Sequence, residues 1–114
     1  MFDCVFCKIR DGKLAATFLH EDDKCFAFRD INPMAPTHIL IVPKRHVATL
    51  NDVGEEDAAT LAQLFLVAKK LAAAEGLAEG GWRAVFNVGK GGGQLVFHIH
   101  LHLLGGRTFG WPPG

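Results

Sequence analysis

The chain has 114 residues, enough for one domain around one core. Apolar residues make up 49% and charged residues 21%, which fits a packed globular domain and argues against a disordered chain. Twelve Lys+Arg balance twelve Asp+Glu. Binding driven by a broad basic field, as on nucleic acid, is therefore not expected, and a net charge of zero removes one barrier to self-association.

No apolar run approaches the roughly 18–20 residues of a membrane span. The opening MFDCVFCKIR places Asp3 at its front and has no apolar stretch before a small-residue cleavage site, so it does not read as a signal peptide. Cys4, Cys7 and Cys25 are an odd set, which points to reduced thiols in the cytoplasm more than to a disulfide framework.

A small N-terminal element comes first. Phe18–Glu21 and Cys25–Phe28 read as two strands joined by the polar turn Asp22-Asp23-Lys24. Asn32–Thr37 holds two prolines and reads as a loop. His38–Val42 is a β-branched run ending at Pro43, expected as an interior strand. Glu55–Glu75 is the one long helix, with Leu61, Leu64, Phe65, Ala68, Leu71 and Ala72 on one face. Glu55, Glu56 and Asp57 suit its N-terminal end, and Gly76 suits its C-cap. Trp82–Val88 and Phe97–Leu104 are the last strands, with Gly89–Gly93 as the loop between them. The tail from Gly105 to Gly114 is irregular. This β-β-β-α-β-β order implies an α+β domain over 1–114, an antiparallel sheet with one long helix on one face. One helix covers little of such a sheet, so further cover or a partner is expected.

Phe97-His98-Ile99-His100-Leu101-His102-Leu103-Leu104 carries the chemistry. Side chains alternate along a strand, so His98, His100 and His102 should share a face about 7 Å apart. Two readings compete. Two of these histidines could bind a metal with a third ligand elsewhere. Alternatively, one is a nucleophile and its neighbours handle protons, because a pKa near 6.5 leaves both a neutral and a charged fraction. The run from Gly89 to Gln94 favours the second reading, since a glycine-rich backbone can bring N–H groups close to an anion.

Cys4-x-x-Cys7 fits a redox pair, two packed thiols or half of a zinc site. No βαβ pattern supports the redox reading. His46 and His98 are available as further soft ligands for a tetrahedral ion. Cys25, among Phe26, Ala27 and Phe28, reads as core. His20 reads as surface, and Lys44-Arg45 as a solvated loop end. Trp111 should pack on its own sheet or on a partner, because exposed Trp is costly.

The stretch from His98 to Leu104 resembles the His-φ-His-φ-His-φ-φ signature of the histidine triad (HIT) family. The likeness extends over Phe28–Pro33, Ala35–His38, Pro43–His46, Gly92–Gln94, Gly105–Arg107 and Trp111–Gly114, and is greatest for the histidine triad nucleotide-binding branch. It implies a HIT-like α+β fold: a five-stranded antiparallel sheet, one long helix and a short N-terminal helix. It implies hydrolysis of purine nucleoside phosphoramidates to AMP or GMP through a nucleotidyl-histidine, with no metal needed for catalysis. The alternatives are a nucleotide-binding regulatory module with incidental hydrolysis, or a dinucleoside polyphosphate hydrolase.

On that resemblance His100 is the nucleophile, His102 contacts the phosphate and His38 relays protons. Asp30 holds the ribose hydroxyls. Phe6, Ile9, Phe28 and Ile31 form the purine pocket. Asn87 and the backbone of Gly93, Gln94 and Leu95 meet the phosphate. Many relatives carry Ser or Thr where this chain has Leu95, so an altered leaving-group preference is expected. Zinc-bearing members use the arrangement seen at Cys4, Cys7, His46 and His98, which implies a structural zinc. The resemblance also implies a homodimer paired through the long helix and a strand, with the tail carrying Trp111 reaching toward the neighbouring active site.

Overall fold

The computed structural model describes residues 3–114; Met1 and Phe2, the first residues of the N-terminal segment read above, lie outside it. Helix α1 spans Val5–Arg10. The strands β1 (His20–Glu21), β2 (Cys25–Arg29) and β3 (Thr37–Pro43) follow, then the long helix α2 (Ala58–Ala74), β4 (Trp82–Val85) and β5 (Leu101–Gly105). The strands form one antiparallel sheet in the order β1-β2-β3-β5-β4. This is the expected α+β architecture, with β3 at the centre.

Alternation along the strands sorts the core into two layers. Cys25 and Ala27 of β2, Ile39 and Ile41 of β3, and Leu101 and Leu103 of β5 pack under Leu64, Val67, Ala68, Leu71 and Ala72 of α2. Phe26, Phe28, Leu40 and Val42 face the other way and pack with Cys4, Phe6 and Cys7 around α1. Both faces of the sheet are therefore used, one by α2 and part of the other by α1. Helix α1 is pinned there by the Arg10 guanidinium, which donates to the Lys44 carbonyl at 2.6 Å.

Four expectations are corrected. The first strand shrinks to His20–Glu21. The helix begins with a 3-10 turn at Glu55–Asp57 and buries Val67, while Phe65 and Leu66 are 48% and 61% exposed. Strand β4 stops at Val85 rather than Val88. The last strand starts at Leu101, not Phe97. Its pairing with β3 ends at Ile41↔Leu101. Continued register would set Ile99 against Pro43, which has no N–H for the ladder. The Ile99 N–H turns instead to the Val47 carbonyl at 2.8 Å. At the far end of α2, Gly76 has φ +76° and follows the last helical residues, as the cap reading required.

Candidate active site

Because the chain leaves the ladder before Leu101, the three histidines do not form a row. His100 and His102 lie together, with ring centroids 4.7 Å apart, closer than strand spacing alone predicts. His98 turns away toward α1. Its ring stands edge-on to His46, with centroids 4.8 Å apart. A metal centre built from His98, His100 and His102 together is therefore not what the geometry provides.

His100 is buried. Its Nδ1 lies 2.8 Å from the His98 carbonyl oxygen. A carbonyl only accepts, so Nδ1 carries the proton and Nε2 keeps its lone pair. Phe6 packs edge-on against this ring at 5.0 Å between centroids. Burial pushes the His100 pKa below the ordinary histidine value, against the opposing pull of the His98 carbonyl. A neutral imidazole with one free nitrogen is a nucleophile at neutral pH.

His102 comes from β5 and His38 from β3, on the same sheet face. Leu40 is opposite His102 and Leu104 opposite His38, so the two histidines are diagonal neighbours. His38 Nε2 lies 2.9 Å from His102 Nδ1, and the Met34 N–H donates to His38 Nδ1 at 3.1 Å. That donor leaves Nε2 of neutral His38 as the protonated nitrogen. His102 Nδ1 then accepts, and its Nε2 carries a proton. Among the described residues this Nε2 is the buried side-chain nitrogen or oxygen without a hydrogen-bond partner. Burial, then the neighbouring His100 and His38, push the His102 pKa down to about 4. Burial also lowers His38, against the nearby Asp30 carboxylate. In both rings burial favours the neutral form.

Asp30 follows β2. One carboxylate oxygen accepts the Asn32 N–H at 2.8 Å, and the other lies 3.5 Å from His38 Nε2. Phe28 and Phe6 meet edge-on at 5.8 Å, and Phe28 stacks on Phe26 at 6.0 Å. Phe6 and Phe28 are buried and Ile9 is partly buried beside them. Ile31 is 91% exposed, unlike these three. Asn87 lies past the end of β4 and is partly buried. Leu95 and Trp111 are 91% and 85% exposed. Among the described residues Trp111 is left largely uncovered, against the first of the two expectations for it.

The glycine loop is tighter than the sequence implied. The N–H groups of Gly93 and Gln94 donate within the loop, to Lys90 and Gly89 carbonyls at 3.1 and 3.0 Å. The expected phosphate contacts from these two amides therefore compete with bonds inside the loop. The side chain of Gln94 has a role that sequence reasoning missed. It is buried, accepts the Gly89 N–H at 2.9 Å, and donates to the Ala48 and Val96 carbonyls at 2.7 and 3.0 Å. A buried amide with its hydrogen bonds made clamps the loop shut. Its position between the glycines and the histidines was visible, but nothing in the sequence marked it as interior. Phe6 against His100 and the Met34 amide on His38 were equally invisible.

The cysteine cluster forms beside this site. Cys4 caps α1 through its sulfur, which accepts the Cys7 N–H at 3.4 Å. His98 Nδ1 lies 3.3 Å from Cys4 Sγ and 3.6 Å from Cys7 Sγ. His46 Nδ1 lies 3.6 Å from Cys7 Sγ and 3.1 Å from His98 Nδ1. His98 Nε2 donates to the Pro43 carbonyl at 2.8 Å, so its Nδ1 presents a lone pair to the sulfurs. Burial drives the His98 pKa down to about 4 and, with Cys4, drives the Cys7 thiol up to about 11. All four expected residues thus converge as a possible metal-binding cluster. Elsewhere Cys25 is fully buried, as expected for core, and burial pushes its thiol up to about 12. His20 is partly buried and bonded to Asp22 at 2.6 Å. Lys44 and Arg45 form ion pairs with Glu21 and Asp57.

Comparison with known proteins gives the family of the chain. The model of the HIT domain family matches residues 11–109. An uncharacterised HIT-like protein of Synechococcus elongatus is 50% identical over 112 residues, covering 98% of this chain and 97% of that protein. A solved HIT family hydrolase from Legionella pneumophila Philadelphia 1 is 61% identical with a TM-score of 0.95, covering 98% of this chain and all (100%) of that one. A histidine triad nucleotide-binding protein from Candida albicans is 34% identical with a TM-score of 0.83, covering 96% of this chain and 83% of that one. The chain belongs to the HIT family.

Proposed function

We propose that the protein, as a single histidine triad domain over 1–114, hydrolyses purine nucleoside phosphoramidates to the nucleoside monophosphate through a nucleotidyl intermediate on His100. The observation that carries this reading is the pairing of two oppositely prepared imidazoles. His100 has Nδ1–H committed to the His98 carbonyl and Nε2 available. His102, in ring contact with it, has Nδ1 committed and an unpartnered Nε2–H. One offers a lone pair and the other a hydrogen-bond donor for the charge that develops on phosphorus.

In the first step His100 Nε2 bonds to phosphorus as the bond from phosphorus to the amine nitrogen breaks. The His98 carbonyl stabilises the positive charge that builds on the ring. The His102 Nε2–H supports charge on the phosphoryl oxygens as a hydrogen-bond donor, and the departing amine nitrogen takes its proton from solvent. In the second step water adds to phosphorus, the bond to His100 breaks, and the water releases its proton to solvent. Phe6, Ile9 and Phe28 would floor the purine, Ile31 would edge it, and Asp30 would accept from the ribose hydroxyls. Asn87 and the Gly93–Leu95 backbone would flank the phosphate.

Incubation with adenosine 5′-phosphoramidate should release AMP, and His100→Ala should abolish release while AMP binding persists. A mutant as fast as the parent protein would refute the mechanism.

Zinc fits the cysteine cluster. A tetrahedral zinc with two nitrogen and two sulfur ligands sets N···S separations near 3.6 Å and N···N near 3.3 Å, against the 3.3–3.6 Å and 3.1 Å found here. Cys4, Cys7, His46 and His98 would hold it, with no coordination position left for substrate. Its contribution would be structural: it would hold as thiolate the Cys7 sulfur that burial otherwise keeps protonated. Such thiols suit the reducing cytoplasm, and among the described residues no helix is long and apolar enough to cross a membrane. A homodimer would cover what the monomer leaves open: the unpaired edge of β4 and the neighbouring Phe65, Leu66 and Phe86. Trp111 would then find its packing on the second copy.

A further inference from the structure

The C-terminal tail reaches the triad through the backbone of the loop before β3. Arg107 Nε and Nη2 both donate to the Met34 carbonyl, at 3.1 and 3.0 Å. Met34 is otherwise exposed, in a turn flanked by Pro33 and Pro36. Its N–H is the donor that occupies His38 Nδ1. Beside it, Gly106 has φ +91°, and a Cβ there would come within 2.8 Å of the Pro36 ring. Tail and loop are thus fitted to each other at two adjacent points.

The consequence follows from hydrogen-bond polarity alone. With Met34 N–H on Nδ1, neutral His38 must carry its proton on Nε2 and donate to His102 Nδ1. His102 must then carry its proton on the unpartnered Nε2. If the Met34 amide swings off, His38 is free to take the other tautomer. Its Nε2 would then accept from His102 Nδ1–H, and His102 would present a lone pair where the site needs a donor.

We propose that Arg107 is a positioning residue: by gripping the Met34 carbonyl it holds the Met34 N–H on His38 and so sets the tautomer of both His38 and His102. The assignment deepens the proposed hydrolysis and rests on it for its catalytic meaning, but the tautomers belong to the free protein. Arg107 touches neither imidazole. Its fork makes two bonds to one carbonyl, which the single ammonium of lysine cannot reproduce. Arg83 supplies the control. It binds the same tail, through the Gly110 carbonyl at 2.8 Å and the face of Phe109, and has no bond to Met34.

The experiment records long-range proton–nitrogen NMR spectra of the imidazoles in the full-length protein, with steady-state kinetics on adenosine 5′-phosphoramidate. The parent protein and the variants Arg107→Lys, Arg107→Ala and Arg83→Ala are compared after circular dichroism shows each folded. In the parent protein His38 and His102 should each show one tautomer, protonated at Nε2. Both Arg107 variants should turn this into a mixture and lower kcat about tenfold, less than the roughly 100- to 10,000-fold that full loss of the right tautomer costs, because part of the population keeps it, with KM little changed. Arg83→Ala should leave the tautomers as they are. Unchanged tautomers in Arg107→Ala, or the same change in Arg83→Ala, would overturn the assignment. If no variant turns over substrate and the tautomers still shift with Arg107, the hydrolytic reading fails while the positioning stands.

Discussion

Truncating Gln94 to alanine tests whether the glycine loop is held by that side chain. The substitution removes three hydrogen bonds: from the Gly89 N–H, and to the Ala48 and Val96 carbonyls. All three are neutral and lie in a part-buried setting, so each contributes about 1 kcal/mol net. The loss is about 3 kcal/mol, because alanine leaves the backbone partners without their protein contact. An unfolding entropy of about 2.1 cal/mol/K per residue gives a 114-residue chain about 0.24 kcal/mol/K, so the midpoint should fall by about 12 °C. Differential scanning calorimetry at fixed protein concentration measures this directly. The same loop flanks the proposed phosphate position, so KM for adenosine 5′-phosphoramidate should rise with it. A Gln94→Ala protein that melts within about 3 °C of its parent, where an ordinary surface change would fall, would show that the loop keeps its shape without the clamp.

Three further outcomes follow from the same structure. Burial alone would raise the Asp22 pKa, but His20, Gln63 and the backbone N–H groups of Lys24 and Cys25 outweigh it and hold the carboxyl far below its usual range. A depressed carboxyl stabilises the fold above the unfolded pKa of about 4 and loses that contribution as pH falls. The stability gap between the parent protein and Asp22→Asn in urea titrations should thus be wide at pH 7 and narrow steadily below pH 4; a gap that is constant with pH would contradict the pairing. Elemental analysis should find one zinc per chain, and Cys4→Ser or Cys7→Ser should lose it together with thermal stability. Full stability of either variant without metal would rule out the structural role. Phe65→Glu with Leu66→Lys should shift a sedimentation profile from dimer to monomer, and an unchanged dimer would place the interface elsewhere.

Much of the site was legible in the chain because its chemistry is local. Three histidines spaced two apart, a glycine run before them and a paired cysteine motif needed no coordinates to be singled out. The element order and the apolar periodicity were sufficient for an antiparallel sheet with one long helix. The alternation rule failed only where the ladder failed. It assumes a paired strand, and the segment Phe97–His100 is unpaired because its register would fall opposite Pro43.

That departure decided what composition and spacing could not. A regular strand would have set His98 beside His100 on one face. The actual path sends the His98 ring to Cys4, Cys7 and His46 while its carbonyl accepts from His100. Which nitrogen of each imidazole carries a proton depends on partners far away in sequence: Met34 for His38, His38 for His102, Pro43 for His98. Residue type alone determined that imidazoles would be present to give and take protons. Only the folded chain, by choosing each ring's hydrogen-bond partner, determined which ring gives and which takes.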